Sequence, residues 1–64
     1  MAMAIRNLDT GLFFAHGHWI HDPKLAQDFA NEELAENAVM KYGIKSAVLV
    51  TLNENGRVTR GKPF

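Results

Sequence analysis

His16, His18 and His21, followed directly by Asp22, are the densest group of side chains able to bind a metal or move a proton. Imidazole nitrogens and a carboxylate are ordinary ligands for zinc- or nickel-like ions. On an extended strand side chains alternate, so His16 and His18 would share a face, with His21 or Asp22 as a third ligand. The plainer reading is a set of polar residues around a loop at Gly17, with Asp22 engaged as a helix cap. Hydrolytic chemistry would need a nucleophile, a base and an oxyanion site. The hydroxyls are Thr10, Ser46, Thr51, Thr59 and Tyr42, and none is spaced to pair with a histidine. The five glycines, at 11, 17, 43, 56 and 61, are dispersed and form no phosphate-cradling loop. No residue is therefore given a catalytic role, no cofactor is implied, and a non-catalytic protein is expected.

Charge is segregated along the chain although its net value is zero. Residues 22–36 carry Asp22, Asp28, Glu32, Glu33 and Glu36 against Lys24, whereas residues 41–62 carry Lys41, Lys45, Arg57, Arg60 and Lys62 against Glu54. A neutral chain has no global field to draw in nucleic acid or an anionic membrane. Both stretches can serve simply as solvated faces. Functionally, the acidic stretch could occupy a basic groove that normally holds nucleic acid. The basic end, Arg57-x-x-Arg60-x-Lys62, could instead touch phosphates. It lacks the aromatic interleaving of a strong nucleic-acid binder, so nucleic acid is a weaker alternative partner.

These side chains must be positioned by one domain, residues 1–64, without cysteine. A chain of this size buries only about 60% of the surface its unfolded form exposes. No disulfide can staple it and a thiol-only zinc site is excluded. Hydrophobic residues at 47% and charged residues at 22% fit a globular chain rather than a disordered one. Residues 1–5 are apolar, but a signal peptide needs about 7–15 such residues and a membrane helix about 20. A cytoplasmic protein without membrane contact is the expectation.

Residues 3–8 and 12–16 read as a β-hairpin around Asp9-Thr10-Gly11. Asp22-Pro23 is a strong helix start, with Leu25 and Phe29 four apart on one face. Asn31 offers a second N-cap before Glu32 and Glu33, and the helix runs to Tyr42, with Gly43 as its stop. Whether 23–29 and 31–42 form one bent helix or two stays open. Residues 46–52 are a β-branched strand, 53–56 a hairpin loop ending in Asn55-Gly56, 57–60 a candidate edge strand and 61–64 a tail. The pattern is β-β-α-β with room for a last strand: an α+β fold in which one amphipathic helix packs on a small antiparallel sheet.

At about 100° per residue, Leu34, Ala35, Ala38, Val39 and Tyr42 form the inward stripe of the helix. Glu33, Glu36, Asn37 and Met40 fall on the outer side and are the candidate partner-binding residues. A flexible methionine ringed by acids suits docking into a basic, partly apolar groove, although an isolated surface methionine would look the same. On the strand at 46–52, Val48, Val50 and Leu52 share one face, expected beneath the helix with Phe13 or Phe14. Ala47, Leu49 and Thr51 share the other, expected to meet a second copy in a homodimer.

The order of these signals carries a resemblance. Thr10-Gly11, Phe13-Phe14, Gly17-His18-Trp19, Asp22, Ala26-Gln27-Asp28-Phe29, Ala35, Ala38 and Gly43 follow one another across residues 5–52. In this the chain resembles the short β-β-α-β proteins that bacteriophages and prophages carry among their accessory genes. In that group a hydroxylated residue often follows the tryptophan region, where this chain has Ile20 and His21. The resemblance implies an accessory protein that binds and modulates a host protein, for example as an inhibitor of a defence or nucleic-acid-handling factor. It carries over no catalytic residue.

Overall fold

The computed structural model describes residues 2–64. Its elements are β1 (Ala2–Asn7), β2 (Phe13–Ala15), β3 (His18–Ile20), a 3₁₀ turn (Pro23–Leu25), α1 (Glu32–Tyr42), β4 (Ala47–Leu52) and β5 (Val58–Pro63). The strands form one five-stranded sheet in the order β3-β2-β1-β4-β5, every pairing antiparallel. The fold is thus the expected small α+β arrangement of a sheet with one helix, with more strand than the sequence pattern proposed. β5 runs on to Pro63, so residues 61–63 are strand rather than tail. β3 was hidden because its hairpin turn is only His16-Gly17, both at positive φ (48° and 89°) between the paired Ala15 and His18. Two consecutive positive φ angles give the turn whose twist matches the flanking strands, so a three-residue strand can follow at once.

Local side-chain bonds set the element ends. Asn7 Oδ1 accepts from the N–H groups of Asp9 (2.8 Å) and Thr10 (3.1 Å), so Asn7 rather than Asp9 organises the first turn. Asn31 Oδ1 accepts from Leu34 N–H (2.9 Å) at the start of α1. At its other end Gly43 takes φ 61°, and the N–H groups of Gly43 and Ile44 reach back to Met40 and Val39 carbonyls.

Residues 23–29 are neither a second helix nor the start of α1. After the 3₁₀ turn the chain extends, leaving Leu25 exposed while Phe29 is buried, so the two do not share a face. The cause is a split in the sheet. β1 and β2 pair at Arg6 and Phe13 and then part, and residues 27–29 fill the gap. Gln27 N–H donates to the Phe14 carbonyl (3.0 Å) and Phe29 N–H to the Met3 carbonyl (2.9 Å). Gln27 Oε1 accepts from His16 N–H (2.8 Å), and Asp28 Oδ1 from Met3 N–H (3.3 Å). Backbone groups that the parted strands would leave unpaired are satisfied in this way.

The segment also carries the chain from one side of the sheet to the other. Ala26 packs with Ala4, Phe13, Val50 and Leu52 on one face, while Phe29 packs with Ile5, Phe14, Ala35 and Leu49 on the other. α1 covers the second of these faces. Two expectations are therefore corrected. Val48 and Val50 lie on the face away from the helix, and Leu49, 7% exposed, lies under it with Ala47 packed alongside. Thr51 stands on the same side, opposite Met3. These three side chains form no open face for a second copy. Alternation in β4 alone could not choose the side. β1 chooses it: Ile5 and Met3 present bulk to the small residues Ala35 and Ala38 of α1, whereas Ala2 and Ala4 leave a shallow face that a short 3₁₀ segment can close.

Candidate interaction surfaces

The histidines do not converge. The strand assumed to align His16 with His18 ends at Ala15, and the chain reverses through His16-Gly17. His16 sits in the turn, His18 opens β3 and His21 lies beyond it, all three exposed. Asp22 is used locally, its Oδ1 accepting from Lys24 N–H at 2.9 Å. Among the described residues no group of three His, Cys, Asp or Glu side chains is gathered to hold a metal. Of the hydroxyls, Thr59 Oγ1 donates to the Thr51 carbonyl (3.0 Å) and ties β5 to β4.

α1 carries three of the exposed large apolar side chains, Leu34, Met40 and Tyr42, and others stand at Leu8, Leu25, Val58 and Phe64. Glu33, Glu36, Asn37 and Met40 are all exposed, Met40 at 80%. The inward stripe is narrower than expected. Ala35 is fully buried, with Ala38 and Val39 packed beside it, whereas Leu34 is 47% and Tyr42 50% exposed. Leu34 lies about 100° around the helix from Ala35, past the edge of the covered stripe. Tyr42 tilts its ring against Phe14, centroids 5.0 Å apart, with Lys41 Nζ 5.6 Å from its centroid, and stays half-exposed. Between α1 and residues 27–30 runs a shallow cleft of about 420 Å³, walled by Leu34, Ala38 and Tyr42 with Phe29 opposite, and with Asn37 and Lys41 on its rim. Sequence reasoning missed this cleft because it depends on residues 27–30 being extended. Centring the helical wheel on Ala35 and Ala38, the small residues able to approach a sheet, would have freed Leu34.

Arg60 and Lys62 lie on the edge strand β5, with Arg57 just before it. Every residue of β5 is exposed, and Lys62 Nζ is 3.1 Å from Glu32 Oε2 at the start of α1. No helix among the described residues is long and apolar enough to cross a membrane. Compared with family models, curated proteins and solved structures, the chain finds no match.

Proposed function

We propose that the chain is a non-catalytic binding module, of the phage accessory type its sequence resembles, that engages and modulates a host protein through the outer side of α1. One observation carries the reading: large apolar side chains stay exposed on this single helix, Leu34, Met40 and Tyr42, beside the acids Glu33 and Glu36. The sheet faces are closed by the chain itself, so this apolar surface is not demanded by the fold. A flexible methionine with acids around it fits a partner that is basic at the rim and apolar at the centre. The cleft beside Leu34 would take one further apolar side chain from that partner.

The test is affinity capture from bacterial lysate with tagged wild type and two double variants. Glu33→Lys with Glu36→Lys is expected to keep the fold, because both sites face solvent, and to lose the captured protein. His16→Ala with His18→Ala is expected to retain it. Capture that depends on the histidines and ignores the glutamates would place the working surface at the β2–β3 hairpin instead.

A further inference from the structure

The register of β5 gathers cations that the sequence only spaces. Asn53 lies opposite Arg57, Thr51 opposite Arg60 and Leu49 opposite Lys62, the first pair joined by a backbone bond of 3.0 Å. Thr51 and Leu49 alternate along β4 on the helix-bearing side, so Arg60 and Lys62 stand on that side of the edge strand, and Arg57 immediately precedes it at the end of the hairpin loop. A shift in register between Thr51 and Leu52 absorbs Thr59 as an extra residue. Phe64, 42% exposed, directly follows β5 and lies two residues beyond Lys62. The aromatic neighbour missing from the sequence pattern is thus supplied at the end of the strip.

Three kinds of partner could meet a free edge, and two fit poorly. A second copy paired antiparallel about Gly61 would set Arg60 of one chain against Lys62 of the other, and like charges directly opposite are destabilising. An added peptide strand needs a continuous row of backbone donors, but Pro63 has none and the irregularity at Thr51/Leu52 twists the edge. What remains is a ligand held by side chains: a flexible polyanion with flat groups to stack. We propose that Arg57, Arg60, Lys62 and Phe64 form a binding strip for single-stranded nucleic acid, the cations meeting successive phosphates and the phenyl ring stacking a base. The strip's own residues lie on and beside β5, and it does not depend on the protein-docking reading. Glu32 is built into it as a competitor, since its exposed ion pair with Lys62 is weak enough for a phosphate to displace.

Fluorescence anisotropy with a labelled oligothymidylate at varied salt tests the strip. Wild type is expected to bind at low salt with a log–log salt slope of about −2, from about −0.7 for each of three neutralised phosphates. Arg57→Glu with Arg60→Glu should abolish binding while circular dichroism stays native. Glu32→Gln should tighten binding by freeing Lys62, and Phe64→Ala should weaken it about tenfold with the slope unchanged. No binding by wild type at low salt, or full binding by the folded charge-reversed variant, would overturn the proposal. So would equally tight binding of polyglutamate, which would make an acidic protein segment the better ligand.

Discussion

The face of the sheet beneath α1 carries Ile5, Phe14 and Leu49 with Trp19 at its margin; the opposite face carries Ala4, Phe13, Val50 and Leu52. Both bury their centres, yet by different means. The first is an aromatic cluster, with Phe14 edge-on to Trp19 at 5.5 Å and stacked on Phe29 at 6.5 Å, and a full helix is needed to cover it. The second is shallow because two of its β1 residues are alanines, and Ala26 and Ile20 suffice, with the Arg6 guanidinium 5.6 Å over the Phe13 ring at its margin. The difference shows why a single helix is enough. The chain crosses the sheet through the gap between β1 and β2, and so closes both faces itself. Exposed large apolar side chains are then scattered singly at Leu8, Leu25, Val58 and Phe64, and three of them, Leu34, Met40 and Tyr42, share α1.

The largest effects should come from comparing the two faces by truncation. Phe14→Ala should cost about 3–5 kcal/mol and Leu52→Ala about 2–5 kcal/mol, read from denaturant unfolding. At roughly 0.05–0.15 kcal/mol of stability per residue, either loss threatens a fold this small. A near-neutral Leu52→Ala would mean that the second face is open after all, and would return the case for a second copy. Leu34→Ala is the intermediate case. Half-exposed at the lip of the cleft, it should cost about 1 kcal/mol or less, part of it offset by the better helix propensity of alanine. A loss in the range of the two core variants would place Leu34 inside.

The smallest expected change is a gain. His16 holds a positive φ in a two-residue turn that favours Asn-Gly, so His16→Asn should raise stability by under about 1 kcal/mol. A lower melting temperature would show that the imidazole makes a contact the turn geometry does not explain.

Elements marked by caps and stops were legible in the sequence: Asn31, Gly43 and the β-branched run of β4 each fixed a boundary closely. Elements made by tertiary pairing were not. β3 depends on a turn of two residues with little turn signature, and the extended course of 27–29 depends on a gap that opens only when β1 and β2 diverge. The side of β4 that meets the helix depends on its register with β1, Ile5 opposite Leu49, which no local pattern encodes. The outer helix residues Glu33, Glu36, Asn37 and Met40 were readable because helical periodicity separates faces within one element. The placing of Arg60 and Lys62 on the helix-bearing side was not, because the register of β5 with β4 decides it.

The central claim, that the outer side of α1 is the docking surface, is tested most directly by site-specific photo-crosslinking. A photoactivatable analogue placed at Met40 in one preparation and at His18 in another would be irradiated in lysate and the adducts sized and identified. The account predicts one discrete protein adduct from position 40, abolished by Glu33→Lys with Glu36→Lys, and none from position 18. A discrete adduct from position 18 with none from position 40 would contradict it.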